Sequence, residues 1–249
     1  IHAATLLHDD VVDLSKDRRG KLTANEVWGN KTSVLVGDFL FSRSFQLMTK
    51  YGNLTTLKIL SDTSVIISEG EVLEISNDKN LEMNEDTYFK IINGKTASLF
   101  SAACQVGGLI GGAKINQHQA LKSFGTNFGM AFQLIDDAID YSSNSKLMGK
   151  NLGDDFKEGK ITLPIILAYG RSNDKEKQFW KKVITKTNKE EENFNKAREL
   201  LFKYNCIEDT LVRANHFADV AIDSLSIFKN NEYKSALIKL IEESIKRLY

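Results

Sequence analysis

A single proline, Pro164, serves 249 residues. Sheets need many tight turns, and turns use proline heavily. A chain this long with one proline has few turns, and its long stretches of helical periodicity indicate an all-α fold. Helices are expected over about 1–14, 32–51, 54–76, 84–105, 116–143, 160–171, 174–186, 189–204, 207–229 and 232–248. No segment shows the alternation that a sheet needs. Residues 15–31 are polar, carry Gly20 and Gly29, and are expected to form a loop. No linker rich in Gly, Ser or Pro interrupts the chain, so residues 1–249 are expected to form one domain. The first residues lie inside an amphipathic pattern without a methionine, which gives the expectation that N-terminal helices are missing. From about residue 172 the chain is rich in Lys, Glu and Asn and poor in chemistry, as solvated packing helices are.

Charge and cysteine content narrow the function. With 33 basic and 33 acidic side chains the chain carries no net charge, which argues against nucleic acid and against an anionic membrane as partner. Cys104 and Cys206 are too few for a disulfide framework, so a reducing, cytoplasmic setting is expected. No apolar run reaches the length of a transmembrane helix.

Two strings carry the chemistry. HDDVVD holds Asp9, Asp10 and Asp13, and QLIDDAIDY holds Asp136, Asp137 and Asp140. Both are spaced DDxxD, so on a helix Asp9 and Asp13 share a face, as do Asp136 and Asp140. Gln133 lies one turn before Asp136. Both clusters sit among apolar residues, and carboxylates drawn out of water need cations. Magnesium suits them, since it takes one or two carboxylates per ion and completes its shell with water and phosphate oxygens. An EF-hand loop and a di-iron bundle both lack required residues here. The basic residues fit phosphate too. Arg18 and Arg19 follow the first cluster, Lys95 and Thr96 lie in Gly94-Lys95-Thr96, and Lys150 and Lys160 follow the second cluster. Arginine grips phosphate through its fork and lysine as a point charge. Gly94-Lys95-Thr96 is not a P-loop, and in isolation it reads equally as a glycine kink with a surface lysine.

The strings LLHDDVVDLSKDRRGKLTAN, GDFLFS, GKTASLFSAACQVGG, FGMAFQLIDDAIDY and GKNLGDDFKEGKITLP resemble the trans-isoprenyl diphosphate synthases, most closely the long-chain (octaprenyl- or solanesyl-type) polyprenyl synthases. The resemblance runs through ordered motifs over roughly residues 1–170. It implies a single all-α isoprenoid synthase domain, helices around a central cavity, usually homodimeric. It implies condensation of isopentenyl diphosphate with an allylic diphosphate (farnesyl or geranyl), with three magnesium ions. Asp9, Asp10 and Asp13 would hold the ions that grip the allylic diphosphate, and Asp136, Asp137 and Asp140 a further ion from the opposite wall. Arg18 and Lys95 would contact the allylic diphosphate with help from Lys150 and Lys160. Arg19 and His2 would contact isopentenyl diphosphate, and Thr96 and Gln133 would lie near the forming carbocation. The family's upstream Gly-Gly-Lys-x-x-Arg element is not in this chain.

Product length in the family depends on the residues four and five before the first aspartate, here Thr5 and Ala4, both small. That pattern implies an open floor and a long all-trans product, by analogy a quinone side chain handed to a membrane. Leu40, Ser44 and Met48 recur at helical spacing as deeper wall or as ordinary core. The competing readings are a medium-chain (geranylgeranyl-type) synthase and a non-catalytic subunit of a heteromeric synthase. Among other polar residues, His8 is placed to bond an aspartate or to be a satisfied buried histidine. Asp155 either orders the lysine-bearing loop or is a solvated charge, and Asp38 is a polar contact in the core or at a dimer interface.

Overall fold

The computed structural model describes residues 1–18, 20–142, 153–185 and 191–246. Its helices are α1 (His2–Val12), α2 (Ala24–Trp28), α3 (Asn30–Tyr51), α4 (Leu54–Ser76), α5 (Glu85–Ile92), α6 (Ser98–Ile110), α7 (Ile115–Ile139), α8 (Asp154–Glu158), α9 (Leu163–Arg171), α10 (Asp174–Ile184), α11 (Glu191–Lys203), α12 (Cys206–Ser224) and α13 (Glu232–Lys246). The only strands among the described residues are a two-residue hairpin, Asp17–Arg18 against Lys21–Leu22, inside the expected loop. Such short strands leave no alternation for a sequence to show. Pro164 sits in the first turn of α9, where its missing N–H costs nothing.

The fold is organised around α7. Its C-terminal half is apolar nearly all round, and Phe124, Phe128, Leu134, Ile135, Ala138 and Ile139 are all buried. Packing from α6 on one side and α12 on another explains that pattern. Backbone meets backbone where α7 crosses α6 and the residue just before it: a Cβ on Gly129 would stand 2.5 Å from Ala97 Cα and one on Gly125 2.6 Å from the Phe100 carbonyl oxygen. Helices packed that closely fix the height at which α7 presents its last turns. Each fully buried Leu or Ile here contributes about 1.5–3 kcal/mol.

The stretch expected as one helix over 84–105 contains a change of pitch. α5 ends at Ile92, and Asn93–Ala97 form a π-turn in which the Ser98 N–H reaches back five residues to the Asn93 carbonyl. The Ser98 hydroxyl donates to the Gly94 carbonyl oxygen at 2.6 Å. This turn packs on α4 through a glycine pair. A Cβ on Gly94 would stand 3.1 Å from Gly70 Cα, and one on Gly70 2.9 Å from the Lys95 nitrogen. Insertions of this kind re-aim the side chains that follow, often at functional sites.

Candidate active site

The C-terminal end of α1, the Gly20 hairpin, the inner faces of α4 and α5, the π-turn and the last turns of α7 surround a cavity of about 600 Å³. Asp13, Arg18, Lys95, Asp136, Asp137 and Lys160 all line it, together with Thr96 and Gln133. Residues from five separate stretches of sequence therefore meet in one place.

The first cluster ends a helix. Asp13 closes α1, with its N–H bonded to the Asp9 carbonyl oxygen at 2.7 Å. Its carboxylate accepts from Lys160 Nζ at 2.9 Å, and Glu158 takes the same ammonium at 2.8 Å. Burial works against a charged Lys160, but Asp13, Asp155 and Glu158 outweigh it and hold the ammonium well above the lysine range. Asp10 is buried and accepts from Arg18 Nε at 3.0 Å and Nη2 at 2.7 Å through one oxygen. Asp9 is half-buried, and burial, reinforced by Glu71, pushes its carboxyl up to about 7 against the pull of Lys95.

Lys95 lies between Glu71, at 2.8 Å, and Glu74, which it also contacts. Burial opposes its charge, and the two glutamates more than restore it, leaving its pKa raised. Neither glutamate was expected from the sequence. Their signal was the same as that of the aspartates: paired carboxylates at i and i+3 on a helix with an apolar face.

The second cluster is held differently. Asp137 and Asp140 are each 2% exposed, whereas Asp136 is half-buried on the cavity wall. Asp137 accepts from Gln133 Nε2 at 2.7 Å and from the Tyr88 hydroxyl at 2.5 Å. Gln133 Oε1 in turn accepts from Thr96 Oγ1 at 2.9 Å. Burial first, then Asp155, pushes the Asp137 carboxyl up to about 8, with Tyr88 and Gln133 opposing. Asp140 takes the N–H of Asp154 at 3.1 Å and of Asp155 at 3.2 Å, so it caps the start of α8. Tyr88 was also not expected. It lies 49 residues from Asp137, and nothing in its local sequence sets it apart.

Other expected residues fall outside this set. His2 is exposed at the start of α1, where its carbonyl oxygen accepts from Thr5 Oγ1 at 2.9 Å. Ala4 is 1% exposed and Thr5 is half-buried, and neither lines the 600 Å³ cavity. His8 turns to the Val34 carbonyl oxygen and Asp38, each at 3.2 Å, and not to a cluster aspartate. Met48 is buried, while Leu40 and Ser44 are half-buried. Arg19 and Lys150 lie outside the described residues.

The residues fit magnesium. The Asp9 carboxyl is raised first by burial and then by the charge of Glu71 and Asp13, and a divalent cation would relieve that crowding. No three acidic, His or Cys side chains among the described residues are gathered into a ready cage. Magnesium does not require one, because water and substrate oxygens fill most of its shell.

Comparison with known proteins gives the same picture. The sequence model of the polyprenyl synthetase family matches residues 1–201. The octaprenyl diphosphate synthase of Escherichia coli (strain K12) is 41% identical over 247 residues, which are 99% of this chain and 76% of that enzyme. A decaprenyl diphosphate synthase from Rhodobacter capsulatus has a crystal structure that superposes with a TM-score of 0.94 at 46% identity, covering all of this chain and 76% of that one. A polyprenyl synthase from Caulobacter crescentus CB15, crystallised with calcium and isoprenyl diphosphate, gives 0.94 at 44% identity, with 100% and 76% covered. By sequence and by fold, this chain belongs to the polyprenyl synthetase family.

Proposed function

We propose that the protein is a magnesium-dependent trans-prenyltransferase that lengthens an allylic diphosphate with isopentenyl diphosphate into a long-chain polyprenyl diphosphate. The observation that carries this reading is one cavity lined by Asp13 from the first cluster, Asp136 and Asp137 from the second, and the lysines Lys95 and Lys160. The long-chain product is supported by the octaprenyl and decaprenyl relatives. A medium-chain product remains the alternative outcome of the assay below.

Asp9, Asp10 and Asp13 would hold magnesium on one wall and Asp136 on the other, with Asp137 and Asp140 supporting it. When bound, magnesium neutralises the diphosphate and stabilises charge building on the leaving oxygen. The chain's own cations do the rest. Lys160, Arg18 and Lys95 are each held by carboxylates in the free protein, and each would pass to a phosphate oxygen. Thr96 and Gln133, fixed against each other, would face the carbon that ionises. Ile91, Ile92 and Ile161 give that part of the cavity apolar walls, which keep water from the cation. The double bond of isopentenyl diphosphate then attacks, and the released diphosphate is the base that takes the proton.

Among the described residues no helix is long and apolar enough to cross a membrane. A homodimer is supported by the apolar side chains that α3 and α4 leave exposed, among them Leu35, Phe39, Leu54 and Val72. Cys104 and Cys206 are free thiols pushed up to about 11 by burial, which suits a reducing cytoplasm and no thiol chemistry.

The test is incubation with magnesium, labelled isopentenyl diphosphate and farnesyl diphosphate, followed by sizing of the products. A ladder ending at about C40 or longer is expected. A stop at about C20 would keep the chemistry and replace the product. No incorporation above an Asp9→Ala control would contradict the enzyme reading and favour a non-catalytic subunit.

A further inference from the structure

The side chains of Thr96, Gln133, Asp137 and Tyr88 form one continuous hydrogen-bonded line from the π-turn through α7 to α5. We propose that Tyr88 is the positioning residue that anchors this line and thereby fixes the Thr96–Gln133 pair against the reacting carbon. The inference rests on the prenyltransferase reading above.

An amide side chain presents an oxygen at one corner and a nitrogen at the other, and the two can exchange by a half-turn. The Asp137 carboxyl group opposes that exchange in Gln133. One of its oxygens accepts from Nε2 at 2.7 Å, and a flipped amide would lose that bond. The flip would also turn the acceptor away from Thr96 Oγ1. Asp137 can do this only while its own carboxyl group is held, because the last torsion of an aspartate is broad. Gln133 is on the same helix one turn away and cannot brace it against rotation by itself. The second oxygen is bonded from another helix, by the Tyr88 hydroxyl at 2.5 Å. Tyr88 is 2% exposed and packed in the main core with Ile91, Ile92 and Ile135, so its hydroxyl is delivered from a fixed ring. The tyrosine also remains a donor. Burial and the adjacent Asp137 push its phenol well above the usual range.

The test is Tyr88→Phe, which removes one oxygen and leaves the ring. A hydrogen bond to a carboxylate is worth enough that kcat should fall about 10- to 100-fold. KM for both diphosphates should stay within about twofold, because no substrate-binding group has moved. The fraction of allylic substrate released as the alcohol should rise, since a loosened Thr96–Gln133 pair guards the cation less well. A residue that only fills the core would not move that ratio. A double variant, Tyr88→Phe with Gln133→Met, should lose no more than Gln133→Met alone. Unchanged kcat and alcohol fraction, a rise in KM in place of the kcat loss, or multiplied losses in the double variant would each overturn the proposal. The Gln133 side-chain amide protons, followed by NMR hydrogen exchange, give a reading that needs no turnover. They should exchange slowly in the wild type and faster in Tyr88→Phe, and equal rates would overturn the proposal. An inactive wild type would count against the prenyltransferase reading alone, and the exchange rates would still decide the role of Tyr88.

Discussion

The two aspartate clusters are spelled alike and held unlike. In the first, the partners are cations: Arg18 on Asp10 and Lys160 on Asp13. In the second, the bonds that the described residues give the two buried aspartates come from uncharged parts of the fold: a tyrosine hydroxyl, a glutamine amide and the N–H groups of α8. A cation on a carboxylate can be exchanged for a metal while it moves to a phosphate. A half-buried backbone N–H at the start of α8 loses its acceptor only at a cost of about 1–3 kcal/mol. The first cluster is therefore built to change partners. The second is built to stay, with the half-buried Asp136 as its arm into the cavity.

Substituting one aspartate from each cluster should separate these duties. Asp9→Asn should lower kcat/KM by about 10³-fold, the scale expected when charge stabilisation of a leaving group is lost. Its melting temperature should not fall, because burial already disfavours the charged form of Asp9. Steady-state kinetics beside a thermal melt would check both. Asp140→Ala should do the reverse in the first instance. Removing the acceptor of two N–H groups costs about 1–3 kcal/mol, which lowers the melting temperature by several degrees in a chain of this size. A kinetic collapse in Asp140→Ala without any loss of stability would break the distinction.

The smallest effect concerns pH. Asp9 and Asp137 have folded-state values of about 7 and about 8, against 3.8 for an ordinary aspartate. Between about pH 4 and 8 the folded protein therefore holds more protons than the unfolded chain, so stability falls as pH rises. The metal-free protein should melt at a lower temperature near pH 8 than near pH 6. Magnesium with inorganic diphosphate should narrow the gap, and Asp9→Asn should remove part of it. A melting temperature that rises across this window would show that the carboxylates are not crowded as described.

Legibility in the sequence follows the same division. The clusters and their helices could be read locally, because DDxxD stands out against Leu6, Val11, Ile135 and Ile139, and a single proline leaves little room for anything but helices. The partners could not. Tyr88 is brought to Asp137, and Lys160 to Asp13 across 147 residues, by the way helices pack. Glu71 and Glu74 are legible in principle, but the sequence reading places them only within the helix expected over 54–76. At Asn93–Ala97 the sequence offers a glycine kink but not the π-turn itself, which packs against Gly70 of α4. The product floor assigned to Ala4 and Thr5 came from family resemblance, and the described cavity is lined by other residues.

The central claim is that the first cluster exchanges partners while the buried aspartates of the second do not. A crystal structure with magnesium and a non-ionisable allylic diphosphate analogue tests it most directly. It should show Lys160 gone from Asp13, now 2.9 Å away, and bonded to phosphate, with Asp9, Asp10, Asp13 and Asp136 on metal. The bonds from Tyr88 to Asp137 and from Asp154 and Asp155 to Asp140 should stand unchanged. A structure in which Asp137 or Asp140 has left those donors to ligate metal, while Lys160 remains on Asp13, would contradict the account.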